Sequence, residues 1–296
     1  MRSLAAFVEL SRPKFLVAGV AGFALGAAVA AYEGADLNPL RYAAGQFMVT
    51  AFQLMTHFAN DFFDRENDRL GTPSEFAGGS GVLVRGALAP CDALRAALAC
   101  AGAGALVATA FAAAGFGTAA ALGAAMGIGA WSYSAPPLRL AARGWGEAVA
   151  AVVVAVLVPL TGYTVFTSSV DELAIAATLG PACALFAMLL AVEWPDRAAD
   201  VAGGKANLVV RLGLGGAGQV AKAAALLVVP ALLVALAAGA PRTEAVFAIV
   251  LVPAVAAFVR GLSGPERTPT EVAARGVTLF LVTAVFALLG YLSALR

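Results

Sequence analysis

Long apolar runs alternate with polar stretches along almost the whole chain, and the polar stretches are unequal in length. Nine runs approach the roughly 20 apolar residues that a helix needs to cross a bilayer. They fall at about 14–32, 42–63, 93–113, 117–134, 146–166, 172–194, 218–239, 244–262 and 274–294. Runs three and four are separated by little more than Ala113-Ala114-Gly115-Phe116. The pattern predicts an all-α fold: a polytopic bundle of nine transmembrane helices around a central cavity, forming one domain over residues 1–296. The chain is rich in Ala and Gly, which suits helices packed closely in lipid, where small residues let backbones approach.

The polar stretches carry the orientation. Of the 19 Lys and Arg residues, sixteen fall on one side of such a bundle. They are Arg2, Arg12, Lys14, Arg65, Arg69, Arg85, Arg95, Arg139, Arg143, Arg197, Lys205, Arg211, Lys222, Arg260, Arg267 and Arg275. Only Arg41, Arg242 and Arg296 fall on the other. The positive-inside rule makes the richer side cytoplasmic, with the N-terminus inside and the C-terminus outside. The connections on that side are also the long ones, about 64–92, 135–145, 195–217 and 263–273. Long loops carry function more often than short ones, so the cavity is expected to open on the cytoplasmic side.

Composition narrows the class. Only 12% of the 296 residues are charged, against about 25% in soluble domains. The chain therefore reads as a multi-pass protein of the cell (inner) membrane. Arg2, Arg12 and Lys14 look like an inside anchor and not the start of a cleaved leader. The net charge is +1 and the basic residues are scattered, so no nucleic-acid partner is expected. Nothing points to an obligate protein partner. Cys91, Cys100 and Cys183 lack metal-ligand spacing and read as packing residues. His57 is the only histidine, which excludes a multi-His zinc site.

The chemistry lies in the inside stretches. Where the second run ends, the chain reads Asn60-Asp61-Phe62-Phe63-Asp64-Arg65-Glu66-Asn67-Asp68. On a helix, Asp61, Asp64 and Asp68 lie within roughly 60° of one another. Three carboxylates on one face repel unless a positive charge sits between them. Mg²⁺ is the economical candidate, because it takes carboxylates and completes its shell with water and phosphates. Mn²⁺ is served by the same ligands. Gly78-Gly79-Ser80-Gly81 follows, with Arg85 placed to pair a phosphate. After the sixth run comes Glu193-Trp194-Pro195-Asp196-Arg197-Ala198-Ala199-Asp200, then Gly203-Gly204-Lys205, Asn207 and Arg211. Asp196 and Asp200 are about 40° apart on a helix. A carboxylate pair, a glycine break and a lysine are the parts needed to hold Mg²⁺ and a diphosphate together. Glu193 reads as a supporting polar group, and Glu147 as an acid at a helix N-terminus.

These motifs carry a resemblance. Asn60-Asp61-x-x-Asp64-x-x-x-Asp68 and Asp196-x-x-x-Asp200 with Lys205 resemble the two aspartate-rich motifs of the UbiA superfamily of intramembrane prenyltransferases. Tyr133-Ser134-x-Pro136-Pro137-Leu138-Arg139 is similar to the loop between them, and Arg12-Pro13 to the start of the family's first helix. Within the superfamily the chain looks most like the 1,4-dihydroxy-2-naphthoate polyprenyltransferases of menaquinone biosynthesis. That similarity rests on Gly78-Gly79-Ser80-Gly81-Val82 with Arg85-Gly86, and on Gly204-Lys205 with Asn207-Leu208-Val209-Val210-Arg211-Leu212-Gly213.

The resemblance implies a Mg²⁺-dependent transfer of a polyprenyl group from its diphosphate to an aromatic acceptor within the bilayer. Asp61, Asp64 and Asp68 would hold one ion, and Asp196 and Asp200 another. Asn60, Arg12, Arg85, Arg139, Lys205 and Arg211 would hold the diphosphate. Asp64, Asp196, Tyr133 and Lys205 would carry catalysis. The alternatives are another acceptor (4-hydroxybenzoate, a glycerol phosphate lipid or a tetrapyrrole), a terpene cyclisation, or a cation-coupled transporter.

Overall fold

The computed structural model describes residues 2–71, 79–263 and 268–295. Gly78, Arg267 and Arg296 lie outside the described residues, as does the side chain of Arg2. The described residues form helices joined by turns, with no strand among them. A short helix, α1 (Arg2–Leu10), precedes the first apolar run. Hydropathy did not announce it, because nine residues are too few to span.

The first four runs become α2 (Pro13–Tyr32), α3 (Pro39–Asp68), α4 (Pro90–Ala113) and α5 (Gly117–Ser134). The fifth is α6 (Gly146–Val152), a π-helical turn (Val153–Leu157) and α7 (Val158–Thr164). Pro159 at the start of α7 cannot donate to the preceding turn, and the wider turn absorbs the missing bond. The sixth run is α8 (Glu172–Val192), followed by the short α9 (Arg197–Ala202). The seventh is α10 (Leu208–Leu226) with α11 (Val228–Ala237), and the last two are α12 (Thr243–Gly261) and α13 (Pro269–Leu292).

Among the described residues seven helical segments are long and apolar enough to cross a membrane: α2, α4, α6–α7, α8, α10–α11, α12 and α13. The chain is a multi-pass membrane protein. The helices α3 and α5, of 30 and 18 residues, stand at the second and fourth runs without joining that set. Gln46, Gln53 and His57 dilute the hydropathy of α3, and four glycines and two serines that of α5.

Proline at the first helical turn starts α2, α3, α4 and α13, where a missing N–H costs nothing. The caps are local: Asn38, Asp171 and Asn207 each accept a backbone N–H at 2.8–3.0 Å. At about 1.5 Å per residue, α3 runs some 45 Å, longer than the roughly 30 Å hydrocarbon core. Its last turns carry Asp61, Asp64 and Asp68 while still helical.

Helices pack on their sequence neighbours, and α13 closes back on α2 and α8. Helix α2 lies backbone-close against α7. A Cβ on Gly26 would sit 1.8 Å from the Pro159 carbonyl oxygen, and one on Gly162 would sit 2.2 Å from that of Phe23. Glycine at both positions brings backbone against backbone.

The two ends of the bundle differ chemically. At one, Arg41 donates to Val165 O at 3.2 Å, Tyr32 to Gly239 O at 3.3 Å and Thr118 to Ser168 O at 2.8 Å. There Tyr163 Oη lies within hydrogen-bonding distance of the Glu33 and Asp171 carboxyls, at 2.6 and 2.7 Å. The other end gathers the aspartate motifs.

Candidate active site

The end of α3, the turn after α5 and the segment 193–207 after α8 enclose a cavity of about 230 Å³. Lining it are Asn60, Asp64, Asn67 and Asp68 from α3, Tyr133 from α5, and Glu193, Asp196, Asp200, Lys205 and Asn207. Arg12, at the start of α2, completes the polar wall.

Lys205 joins the two aspartate motifs. Its Nζ donates to Asp64 Oδ2 at 3.0 Å and lies 3.5 Å from Asp200 Oδ1. Asp64 is separated from Asp200 by 136 residues of sequence, yet both are buried against one ammonium. Burial alone would lower the pKa of Lys205, but Asp64 and Asp200 outweigh it and hold the pKa above the ordinary lysine value. Asp200 also accepts from Asn67 and Asn207, each at 2.8 Å. Asn60 donates to Asp64 Oδ2 and to Ser134 Oγ, both at 3.0 Å, tying the first motif to the end of α5.

Asp61 does not line the cavity. It accepts from Arg12 and from the backbone N–H and hydroxyl of Ser80. Arg12 and Arg139 have positive φ angles of 46° and 45°, the only such residues other than glycine among those described. Side chains rarely adopt this conformation, and both guanidinium groups point to the first motif: Arg12 bonds Asp61, and Arg139 Nη2 lies 4.0 Å from Asp64. Arg85 pairs instead with Glu9 of α1 at the surface. Arg211 Nε donates to Ala206 O at 2.7 Å and packs beside Gly144. Arg85, Arg139 and Arg211 thus stand around the cavity without lining it.

Two glycines leave room for the polar tips of the site. A Cβ on Gly79 would meet Asp68 Oδ2 at 2.0 Å, and one on Gly203 would meet Asn67 Oδ1 at 1.7 Å. Asp68 lies past the apolar run. Burial, then the charges of Asp61 and Asp64 against the pull of Lys205 and Arg12, raises its pKa to about 7.

The sequence matches the profile of the UbiA prenyltransferase family over residues 19–283. The chain belongs to the UbiA prenyltransferase family. Among solved structures, a UbiA homologue from Archaeoglobus fulgidus bound to GPP and Mg²⁺ superposes with a TM-score of 0.73 at 15% identity, covering 98% of this chain and 99% of that one. The same homologue bound to DMAPP and Mg²⁺ gives 0.74 at 15% identity, with 98% of each chain covered. A digeranylgeranylglyceryl phosphate synthase gives 0.69 at 16% identity over 99% and 100% of the two chains. These likenesses show the UbiA fold. No curated protein sequence matches the chain.

Hard oxygen donors fit a hard divalent cation. Among the described residues no three His, Cys, Asp or Glu side chains stand close enough to hold a metal by themselves. Mg²⁺ does not need them to, since it is commonly bound through one or two carboxylates plus water and substrate phosphates. Asn67 Oδ1 is buried without a hydrogen-bond partner and adds a further oxygen at the same wall.

Asn67, Ser80 and Ser134 escaped the sequence reading as site residues. Asn67 stands three residues after Asp64, the spacing that shares a helix face. Ser80 and Ser134 carry no spacing signal, because they reach the site across the chain. His57 is occupied elsewhere, with Nδ1 2.7 Å from Ser11 O.

Proposed function

We propose that this chain transfers a polyprenyl group from an allylic polyprenyl diphosphate to an aromatic acceptor, 1,4-dihydroxy-2-naphthoate, releasing diphosphate. The observation that carries the reading is the Asp64–Lys205–Asp200 contact, which unites two acidic motifs around one cavity with Arg12 at its wall. Arginine, lysine and carboxylates side by side suit a metal-bridged phosphate. They do not suit a naked cation in transit. The binding of GPP and DMAPP with Mg²⁺ by the archaeal homologue of the same fold supports the same reading.

Asp64 and Asp68 on one side and Asp196 and Asp200 on the other would hold Mg²⁺, one ion to each pair. The metal, when bound, neutralises the diphosphate and stabilises it as a leaving group. Lys205 and Arg12 add positive charge at that oxygen cluster. Asp61 orients Arg12, while Asn60 fixes Asp64 against Ser134 at the end of α5. Arg85, Arg139 and Arg211 supply positive charge around the mouth. Tyr133 closes the apolar side of the cavity, and the surrounding helices keep water from the allylic carbon. The prenyl tail lies among the apolar helices. The bundle spans the inner membrane nine times, with α3 and α5 as the two polar spans and the cavity open to the cytoplasm.

The test is a membrane assay with a labelled polyprenyl diphosphate and Mg²⁺, with and without 1,4-dihydroxy-2-naphthoate. The expected product is a lipid-soluble prenylated naphthalene that requires both metal and naphthoate. Diphosphate release without that product, or a product with 4-hydroxybenzoate instead, would sink the acceptor assignment. Absence of release with every acceptor would sink the transferase reading.

A further inference from the structure

Asp200 is met from behind by a tight fold of its own chain. Its carbonyl oxygen accepts the Lys205 N–H at 2.9 Å, around Gly204 with a φ of 73°. The turn brings Asn207 back onto the Asp200 side chain. Asp200 and Asn207 are each only 4% exposed, and both line the cavity. The Asn207 amide has two heads in use. Its Oδ1 accepts the Val210 N–H at 2.8 Å and so caps α10. Its Nδ2 donates to Asp200 Oδ2, also at 2.8 Å. A peptide N–H needs an acceptor and a carboxylate needs a donor, so these partners fix which way the amide faces.

Capping alone does not call for asparagine, since serine and aspartate cap a helix about as well. Aspartate has no donor to offer Asp200. Serine has a hydroxyl, but it lies one atom nearer the backbone and is taken up by the cap. Of these three, asparagine alone serves the helix and the carboxylate at once. The backbone on either side of Asn207 is anchored independently: Ala206 N–H donates to Ala142 O at 2.9 Å, and Leu208 N–H to Glu147 Oε1 at 2.7 Å. Asn207 thus holds a buried carboxylate from a fixed base. The other Asp200 oxygen is held from α3 by Asn67 Nδ2 at 2.8 Å, with Lys205 Nζ 3.5 Å away.

We propose that Asn207 is a positioning residue for the metal-and-diphosphate site: it fixes the orientation of the Asp200 carboxylate and ties it to the start of α10, so that loading the site tightens that end of the helix. This rests on the prenyl-transfer reading and adds which residue aims the second motif and which element feels it. A carboxylate held by a donor on each oxygen meets a cation without first giving up rotamer freedom. Removing a donor that orients a metal-binding group typically costs about 10–100-fold in metal affinity.

The test uses the purified full chain in detergent. Calorimetry gives the Mg²⁺ affinity in the presence of geranyl thiodiphosphate, a slowly ionising donor analogue. Amide hydrogen exchange reads the Val210 N–H with and without both ligands. Asn207→Ser keeps the cap and loses the donor to Asp200. It should retain the wild-type melting temperature and the unliganded protection of Val210, and lose about 10–100-fold in Mg²⁺ affinity. The Mg²⁺ concentration for half-maximal turnover should rise alike, while kcat at saturating Mg²⁺ falls much less. Loading should slow exchange at Val210 in the wild type and leave it unchanged in Asn207→Ser. Asn207→Asp also keeps the cap and puts a second carboxylate in place of the donor; it carries the test if the serine variant fails to fold. Wild-type Mg²⁺ affinity in a folded variant would overturn the proposal and leave Asn207 a cap alone. A Val210 amide blind to loading in the wild type would overturn it as well. Failure of the wild type to bind Mg²⁺ and thiodiphosphate together would strike the prenyl-transfer reading itself, a result separate from anything the variants show.

Discussion

A single ammonium decides how the two motifs meet. Removing Lys205 leaves Asp64 and Asp200 facing each other without their shared cation. Lys205→Ala should lower turnover by two orders of magnitude or more, about 3 kcal/mol of transition-state stabilisation, with Lys205→Arg recovering part of it. Asp64→Asn and Asp196→Asn should abolish turnover while the protein remains folded. Prenyl transfer and thermal melting measured side by side check both statements; near-normal turnover in either aspartate variant refutes the metal assignment. Asp68 adds a pH dependence. Its pKa is raised to about 7, so the buried protonated form is favoured in the fold. The stability it contributes is full below the ordinary carboxylate range and is lost as pH rises through about 7. Metal ligands must be deprotonated, so Mg²⁺ affinity should rise as pH increases through about 7. Calorimetry in buffers of different ionisation enthalpy should show proton release on binding, and Asp68→Asn should abolish it.

The element on which the site depends most is α3. It continues past the end of its apolar run because its last turns find partners in other segments: Asp64 in Lys205, and Asn67 in Asp200. The scaffold behind it relies on close backbone contact. At Gly26 and Gly162 a side chain would enter a carbonyl of the facing helix, and a backbone cannot swing aside as a side chain can. Gly26→Val or Gly162→Val should cost about 1–3 kcal/mol or more, seen as a lowered melting temperature in detergent. Gly102→Ala is the control, since nothing lies within 4 Å of its Cβ position, and it should leave melting unchanged or slightly raised. An unchanged melting temperature in both valine variants would contradict the α2–α7 contact.

Across the whole molecule the basic residues predict which end faces the cytoplasm, and chemistry can check it. Cys91 is exposed at the start of α4, on the end that holds the cavity. A membrane-impermeant maleimide should label it in inside-out vesicles and spare it in right-side-out ones. In a background where Cys91 is serine, Arg242→Cys should show the reverse. Labelling of Cys91 in right-side-out vesicles would invert the assigned topology.

Much of this was legible in the residues because lipid leaves few options. Apolar runs of spanning length have to be helices, so all-α architecture and a multi-pass chain follow from periodicity and length alone. Asp64, Asp68, Asp196 and Asp200, all on the cavity wall, could be picked out from their spacing, whereas Asp61, spaced alike, turns to Arg12 and Ser80. What spacing could not give was the partner of each charge. Whether Arg12 meets Asp61 or a substrate, whether Arg85 turns to the cavity or to Glu9, and that Glu147 reaches Leu208 are set by contacts between segments far apart in sequence. Helix α1 also fell outside a hydropathy reading, since nine residues are too few to span. The sequence determined the helices and the inventory of charged groups; the tertiary structure decided which of those groups share a cavity, because burial and ion pairing depend on distance in space.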